Sequence, residues 1–493
     1  MSPLMLRWLP LALIAFVALG LRTRDLATRP MHADEANQAV KTGELLDSGH
    51  YTYDPRDHHG PTLYYAAAAL ARLRGERSLA ELTETTVRLV PAFFGTAAVI
   101  LIAALVAGAN LPATGSPRWP ALAAALFLAV SPPAVYYSRY FVQETLLATF
   151  TLAAFVCGQR WWRTGLTRWA VAGGACVGLM QATKASAPLF LLAGVLSLWI
   201  TRSGLRPATR RPGRDAVAAL LAASATAAVL FSSFGTNPSG LRDALAAYVH
   251  AAQRFGTDAA PTGHEKPWWY YLRIFGWYRE GGLLWYEAPF SLLAIGGMLA
   301  AFRGPSRFLR GVAVYAIATT LAFSLFAYKT PWHTVDLVPA FAILAAVALA
   351  ALTQGRAGRL VAGVAATVVI ATLLQQTWRS SFTRPADWRN PFAYVHSSAD
   401  VLKYRPLAEA ALARQPAGPI RIISEEYWPL PWYLRGLPNV GFWSTAPEEC
   451  DGALIVASAA QAEAVRARLR RKYSETFLGL RPGFVCMIFT PEP

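Results

Sequence analysis

Two adjacent carboxylates, Asp34 and Glu35, follow the first apolar segment of the chain. Asp34 suits the N-cap of a short helix over residues 35–47, because an Asp side chain accepts hydrogen bonds from the first free backbone N–H groups. Glu35 would then be a first-turn charge that complements the helix dipole. The chemical alternative is that Asp34 acts at a membrane surface as a general base or a metal ligand. Both interpretations of the pair stay open at this point.

Charged side chains recur at the ends of later apolar segments. Arg139 and Glu144 lie in the polar stretch YYSRYFVQETLL between the third and fourth segments. A charge so near hydrocarbon is costly and tends to be paired or functional, and a guanidinium can hold a lipid phosphate through two hydrogen bonds. Lys184 and Lys329 also lie at segment ends, where an ammonium group can bind phosphate as a point charge. The alternative for each cation is a side chain that snorkels to water.

Histidines and acids in two loops are further candidates. His58 and His59 lie in a His- and Asp-rich turn, and His264 and Glu265 lie in a later, aromatic-rich loop. We interpret the histidine pair as solvated turn residues in preference to metal ligands. Most of the aromatic residues fit an interfacial belt of Trp and Tyr. These residues are therefore predicted as accessory at most.

Together these residue types suit one class of reaction. A lipid-phosphate leaving group needs cations, or a metal ion, to accept its developing negative charge. An acceptor hydroxyl needs a carboxylate as its base. Carboxylates and cations that share one face of a membrane therefore predict transfer of a sugar from a polyprenyl-phosphate carrier.

The elements that position these residues are predicted to be membrane-spanning helices. Of 493 residues, 54% are hydrophobic and 15% are charged, against about 25% charged in a typical soluble domain. The net charge is +17, but the basic residues punctuate the apolar runs and form no patch, which argues against nucleic acid as a partner. We predict about eleven spans. They lie near residues 7–21, 84–108, 119–137, 143–158, 169–183, 186–201, 216–234, 284–302, 311–328, 334–353 and 358–378.

Charge alternation between the spans sets the predicted orientation in the cytoplasmic membrane. The loops after every second span are basic or short, so the positive-inside rule places them in the cytoplasm. The N-terminus then starts inside, as an uncleaved first span. Two long loops, residues 22–82 and 235–283, fall on the outer face. Within the first of them, residues 61–73 are predicted to form a second, amphipathic helix in the interface.

Beyond residue 380 the pattern changes to that of a small α/β domain. PIRIIS, GALIVAS and GFVCMIFT are typical of short strands, and AQAEAVRARLRRK is typical of an amphipathic helix. We predict a membrane domain over residues 1–380 and an extracytoplasmic domain over residues 397–493. Cys450 and Cys486 could pair in the latter, since an oxidising compartment permits disulfides.

Several motifs resemble those of one superfamily of membrane enzymes. They are HADEANQA, YTYDPRDHHGPTLYY, SPPAVYYSRYFVQE, ATKASAP, KPWWYYL, YKTPWHTVDLVP and EEYWPLPWYLRGLPNVGFW. In order and spacing they resemble the GT-C superfamily of polytopic glycosyltransferases, in its dolichyl-phosphate-mannose–protein mannosyltransferase-like branch. The prokaryotic flippase-activity-associated membrane protein family is the most similar. The resemblance covers nearly the whole chain and implies a polytopic α-helical membrane fold of the GT-C type.

The resemblance also implies roles for particular residues. GT-C enzymes use an acidic residue of the first extracytoplasmic loop as the catalytic carboxylate, which corresponds to Asp34 with Glu35 beside it. In the mannosyltransferase branch, an Arg after the third span helps to bind the lipid phosphate, which corresponds to Arg139. Lys184 and Lys329 carry over as further contacts to the donor phosphate.

Glu144 departs from the family pattern. Relatives often have an acidic pair at this place, whereas this chain has a single acid in VQET, which weakens any prediction of a second carboxylate cluster. Some GT-C branches need a divalent metal ion and others do not. A metal therefore stays unassigned.

The leading hypothesis is an inverting glycosyltransferase of the outer face. It would transfer mannose or another hexose from a polyprenyl-phosphate donor to a glycan, lipid or protein acceptor. One alternative is a non-catalytic, flippase-associated protein for lipid-linked glycans, and another is a scaffold whose outer domain binds a partner. A conduit is disfavoured, because the middles of the predicted spans are Ala, Leu and Val.

Overall fold

The structure is a computed structural model that describes residues 3–56, 59–109, 111, 118–201, 207–254, 264–353 and 355–492. The α-helices are α1 (Pro3–Thr23), α2 (Ala33–Ser48), α3 (Thr62–Leu73), α4 (Glu84–Ala107), α5 (Arg118–Val130), α6 (Pro132–Tyr137), α7 (Glu144–Thr164), α8 (Thr167–Gln181), α9 (Ala187–Thr201), α10 (Pro212–Phe231), α11 (Gly240–Arg254), α12 (Tyr270–Phe275), α13 (Ala288–Arg303), α14 (Arg307–Leu325), α15 (Thr334–Ala351), α16 (Gly355–Trp378), α17 (Val401–Arg414), α18 (Leu430–Tyr433) and α19 (Ala462–Arg466). The strands are β1 (Trp277–Glu280), β2 (Leu283–Tyr286), β3 (Ile420–Ile423), β4 (Val440–Trp443), β5 (Leu454–Ser458), β6 (Tyr473–Arg481) and β7 (Phe484–Pro491).

The chain divides into two compact units, each built from more than one stretch of sequence. The helical unit contains Met1–Arg24, His50–Ala66 and Arg88–Pro385. The sheet unit contains Asp25–Gly49, Ala67–Val87 and Ala386–Pro493. Most of the first predicted outer loop, including its acidic pair, therefore belongs to the same unit as the C-terminal sheet.

Each of the eleven predicted spans overlaps a helix of the structure. In the described part of the chain, five helices are long and apolar enough to cross a membrane: α4, α10, α14, α15 and α16. Four shorter apolar helices are α1, α5, α9 and α13. The mostly helical, membrane-type fold is thus confirmed, whereas the exact number of spans stays a prediction.

The third predicted span is wrong as one continuous helix over residues 119–137. Helix α5 ends at Val130, and α6 begins at Pro132. Pro132 and Pro133 carry no backbone N–H group, so they cannot continue the hydrogen-bond ladder of α5. In a continuous helix their missing N–H groups would have bonded the carbonyl oxygens of Leu128 and Ala129.

Arg22 supplies the donors that the two prolines lack. Its fully buried guanidinium donates to the Leu128 carbonyl at 3.2 Å and to the Ala129 carbonyl at 2.9 Å. The Thr377 hydroxyl donates to the Val130 carbonyl at 2.7 Å. Backbone carbonyls have no water to bond inside a bilayer. Side chains from α1 and α16 therefore satisfy the carbonyls that the break in α5 leaves without backbone donors.

Replacing Arg22 by Met is expected to destabilise the helical unit. The substitution leaves two buried carbonyl oxygens without their donors, at a cost of about 1–3 kcal/mol each. The measurement is the thermal unfolding temperature of the detergent-purified protein. Arg310→Met is the matched control, since the partly exposed Arg310 side chain also donates to a carbonyl, that of Pro305. Equal losses in the two variants would contradict this account of the helix break.

Helix α8 packs closely against its neighbour α10 because it presents glycines to it. A side chain at Gly174 would meet the carbonyl oxygen of Ala219 at 2.1 Å, and one at Gly178 would meet that of Ala223 at 2.4 Å. Small residues four apart on a membrane helix let two backbones approach in this way. This packing fixes the end of α8, from which Lys184 follows.

The C-terminal part of the sheet unit is a five-stranded sheet in the order β4-β3-β5-β7-β6. Strand β3 pairs in parallel with β4 and β5, and β7 pairs in antiparallel with β5 and β6. Ile423, Ile455, Val465 and Phe489 lie in its core. The three predicted strands are present. The helix predicted over residues 460–472 is shorter than expected, since α19 ends at Arg466. The sequence patterns did not predict α17, β4 or β6.

The N-terminal segments of the sheet unit contact α18 and the residues after it. The Met31 N–H donates to the Tyr433 hydroxyl at 2.8 Å. The indole N–H of Trp432 donates to Glu84 Oε1 at 2.7 Å. These bonds join positions 402 and 348 residues apart into one packed body. The two C-terminal cysteines, Cys450 and Cys486, are both buried and free, so the possible disulfide is not formed in this structure.

Candidate functional site

Helix α2 carries the acidic pair in its first turn. His32 is the N-cap, and its Nδ1 accepts a hydrogen bond from the Asp34 backbone N–H at 3.0 Å. The His32 backbone N–H donates in return to Glu35 Oε2 at 3.2 Å, which completes a capping box. The predicted N-cap role of Asp34 is therefore wrong. The extended backbone ends at His32, with φ −69° and ψ 157°, so Asp34 is already inside the helix.

The two carboxylates have different surroundings. Glu35 is fully buried, and its Oε1 lies 2.9 Å from Nη2 of the buried Arg29. The Asp34 side chain is 50% exposed, with Oδ2 3.9 Å from His32 Nδ1. Asp34 is thus the member of the pair whose oxygens are accessible to a ligand. Glu35 instead binds the start of α2 to the preceding loop.

Sequence reasoning missed His396, which packs against this cap from the C-terminal segment. The rings of His396 and His32 meet edge to face, with centroids 5.8 Å apart. Burial, followed by the nearby positive charge of Arg29, lowers the pKa of His396 well below its usual value, so this ring is neutral near pH 7. We call Arg29, His32, Asp34, Glu35 and His396 the α2 cluster.

Arg139 lies in the turn between α6 and α7 and contacts the end of α1. Its Nη1 donates to the carbonyl oxygen of Leu21 at 3.2 Å and also to that of Arg24. The guanidinium lies over the Phe382 ring, 4.5 Å from its centroid. Arg139 is buried, with 7% of its surface exposed. Its predicted role at a donor phosphate stays a prediction, and its present contacts are with backbone carbonyls.

Lys184 and Glu144 form a buried ion pair. Lys184 follows α8, Glu144 is the first residue of α7, and the Lys184 ammonium donates to Glu144 Oε1. Their side chains are 9% and 3% exposed. The predicted phosphate contact and the predicted accessory acid are therefore brought together, and each neutralises the other.

Asp336 and His333 extend this pair and were not among the predicted site residues. His333 Nδ1 lies 3.4 Å from Asp336 Oδ2, and Asp336 interacts electrostatically with both Glu144 and Lys184. Both residues are at the start of α15 within the motif YKTPWHTVDLVP. The available signal was a histidine and an acid inside an otherwise apolar span, which is costly unless the charge is paired or functional.

His59 lies in the same part of the helical unit, because the backbone of the next residue packs closely against that of Ala182 and Thr183. The Gly60 N–H donates to the Thr183 carbonyl at 3.2 Å, and a side chain at Gly60 would meet the Ala182 carbonyl oxygen at 2.2 Å. Glycine is therefore needed there, and it holds His59 within electrostatic range of His333. His58, the other predicted member of this histidine pair, lies outside the described residues.

Lys329 is grouped with the accessory residues of the second long loop. Its backbone N–H donates to the His264 carbonyl at 3.0 Å, and its Nζ donates to the carbonyls of Phe326 and, at 3.1 Å, Lys266. The His264 ring lies 4.8 Å from that of Tyr328. Glu265 joins Tyr328 through an isolated β-bridge. The loop thus holds Lys329 mainly through backbone groups.

The predicted site residues fall into both units. Asp34 and Glu35 belong to the sheet unit, and Arg139, Lys184 and Lys329 belong to the helical unit. Among the residues described, no group of three or more His, Cys, Asp and Glu side chains has the arrangement to hold a metal ion. The sheet unit thus offers a half-exposed carboxylate, and the helical unit offers buried cations.

Comparison with known proteins identifies the fold. Residues 58–234 match the family model described as dolichyl-phosphate-mannose-protein mannosyltransferase. The whole chain is similar to ArnT from Cupriavidus metallidurans bound to undecaprenyl phosphate, with a TM-score of 0.68, 16% identity and 97% of both chains covered. Residues 58–234 are thus similar to the mannosyltransferase family, and the whole chain shares the fold of ArnT. Five of its described helices are long and apolar enough to cross a membrane.

A second solved structure agrees with this fold. It is the archaeal oligosaccharyltransferase AglB from Archaeoglobus fulgidus in complex with an inhibitory peptide and a dolichol-phosphate. The TM-score is 0.58 at 13% identity, with 97% of this chain and 73% of AglB covered. Among curated proteins, none matches the sequence. The similarity to the flippase-activity-associated family stays a prediction.

Proposed function

We propose that this protein is a member of the GT-C superfamily and an inverting glycosyltransferase of the cytoplasmic membrane. It transfers mannose or another hexose from a polyprenyl-phosphate donor to a glycan, lipid or protein acceptor on the outer face. The observation that carries the proposal is the fixed and half-exposed carboxylate of Asp34 beside the fully buried Glu35. The polyprenyl phosphates bound by ArnT and AglB support the class of donor.

Asp34 is the base in the proposed reaction. Its carboxylate takes the proton of the acceptor hydroxyl, and the acceptor oxygen forms a bond to the anomeric carbon of the sugar. The bond between that carbon and the donor phosphate oxygen breaks, and the electron pair leaves with the polyprenyl phosphate. A single displacement of this kind inverts the anomeric configuration.

Arg139, Lys184 and Lys329 are the proposed ligands of the donor phosphate. Each has a polar partner in the present structure: backbone carbonyls for Arg139 and Lys329, and the Glu144 carboxylate for Lys184. Donor binding would exchange these partners for phosphate oxygens, which are strong acceptors for charged donors. Neutralising the phosphate makes the polyprenyl phosphate a better leaving group.

A transfer assay tests this function. Membranes that contain the protein receive polyprenyl-phosphate mannose or glucose with a labelled sugar, and the label is followed into lipid, glycan and protein fractions. We expect label to move into one of these fractions, with inversion at the anomeric carbon. Protein-dependent movement of lipid-linked glycan across the membrane, with no sugar transferred from either donor, would instead favour the flippase-associated alternative.

A further inference from the structure

We propose that His32 and His396 are positioning residues for Asp34, so that the C-terminal segment of the chain orients the carboxylate of the first loop. The inference deepens the proposed function, because it takes Asp34 as the base. Neither histidine touches a reacting atom in this proposal. Both act through the backbone and the rotamer of the first turn of α2.

The first step is the hydrogen bond that fixes residue 34. The His32 Nδ1 accepts a hydrogen bond from the Asp34 backbone N–H at 3.0 Å, so this nitrogen carries no proton in the capped helix. Histidine is not among the residues favoured at an N-cap. Its use here therefore makes the start of α2 depend on how the His32 ring is held.

The second step is the packing that holds the His32 ring. His32 and His396 are 4% and 1% exposed, and their rings meet edge to face. The His396 Nδ1 lies 3.2 Å from the Ser397 carbonyl oxygen, which fixes its own orientation. The Met31 N–H, one residue before the cap, donates to the Tyr433 hydroxyl. The C-terminal stretch thus fixes both the ring of the cap and the backbone that leads to it.

The third step is the charge around the His32 ring. Arg29, Asp34 and Glu35 face it from the loop and from α2, and His396 faces it from the C-terminal segment. The same Nδ1 that accepts from the Asp34 N–H lies 3.9 Å from Asp34 Oδ2. The His32 ring therefore contacts both the backbone and the surroundings of the proposed base.

Variants of His32 test whether this residue acts through its hydrogen bond as the N-cap of α2. In His32→Ala, we expect kcat for sugar transfer to fall about tenfold to a hundredfold with an unchanged donor KM, because misplacement of a reacting group by about 1 Å costs that much. His32→Asn should restore kcat to within about twofold, since Asn is a favoured N-cap. Ser306→Ala is the matched control, because it removes the side-chain cap of α14, which carries no candidate base.

The split between kcat and donor KM distinguishes positioning from simple structural support. A His32→Asn protein that stays as slow as His32→Ala, or a loss in His32→Ala that falls on donor KM, would overturn the inference. The His396 variants supply the same readout even if His32→Ala is not recovered in membranes.

Variants of His396 test the link to the C-terminal segment. His396→Ala should lower kcat about tenfold at constant donor KM, whereas His396→Phe should keep most of it because an aromatic ring still packs on His32. If kcat is unchanged in both His396→Ala and His32→Ala while Asp34→Asn is inactive, the positioning role of the histidines is refuted and the proposed function stands. Full activity of Asp34→Asn would refute the proposed function itself.

Discussion

Replacement of Asp34 by Asn is expected to lower kcat for sugar transfer by about 10²–10⁴-fold, the usual contribution of a positioned acid or base. The amide has nearly the same shape as the carboxylate, but it cannot take the proton of an acceptor hydroxyl. The cap of α2 should survive, because His32 bonds the backbone N–H of residue 34 and not its side chain. Donor KM should therefore change little.

The measurement is initial-rate transfer of labelled sugar by purified protein in lipid vesicles, at several donor concentrations. Glu44→Gln is the control, because it makes the same acid-to-amide change on the same helix, where the Glu44 side chain is 55% exposed and pairs with Lys41. We expect this control to keep normal activity. An Asp34→Asn protein that inserts normally and transfers sugar at the full rate would eliminate Asp34 as the base.

Replacement of Arg29 by Met should cause the largest loss of stability in the sheet unit. The substitution leaves the fully buried Glu35 carboxylate without its ion-pair partner. Removing one partner of a buried pair costs about 3–5 kcal/mol, because an uncompensated charge remains in a poorly solvating environment. Since a domain is stable by only about 5–15 kcal/mol, we expect a large fall in folded protein.

The measurement is the free energy of unfolding of the purified protein in detergent, with limited proteolysis to identify the unit that opens. The double variant Arg29→Met, Glu35→Gln should recover much of the loss, because Gln is neutral and its oxygen can still accept from the His32 N–H. Lys41→Met breaks the partly exposed pair with Glu44 instead, and such pairs contribute about 0–1 kcal/mol. A double variant no more stable than Arg29→Met would show that the buried charge is not the cause.

Local patterns in the sequence predicted the elements of this protein well. Apolar runs located helices at all eleven predicted spans, because hydrophobicity in a membrane is a property of contiguous residues. The acidic pair was correctly placed at the start of a helix, since first-turn carboxylates complement the helix dipole. The break in α5 was also visible in principle, because two successive prolines remove two N–H donors.

Contacts between distant parts of the chain could not be predicted in this way. No local pattern links His396 to His32, or Tyr433 to Met31, which lie 402 positions apart. The capping role of His32 was hidden because histidine is an uncommon N-cap. Asp336 was overlooked because a single acid among aliphatic residues does not change the prediction of an apolar span.

The three-part composition of the sheet unit has a consequence for how the protein is made. The segment that carries Asp34 is synthesised well before Tyr433 and His396, which contact it; Met31 and Tyr433 lie 402 positions apart. A ribosome-bound chain therefore holds the acidic helix for some time without the partners that shape it. The proposed base acquires its final setting only after residue 433 has been made, so a chain that stops before that residue would not carry an assembled reactive carboxylate.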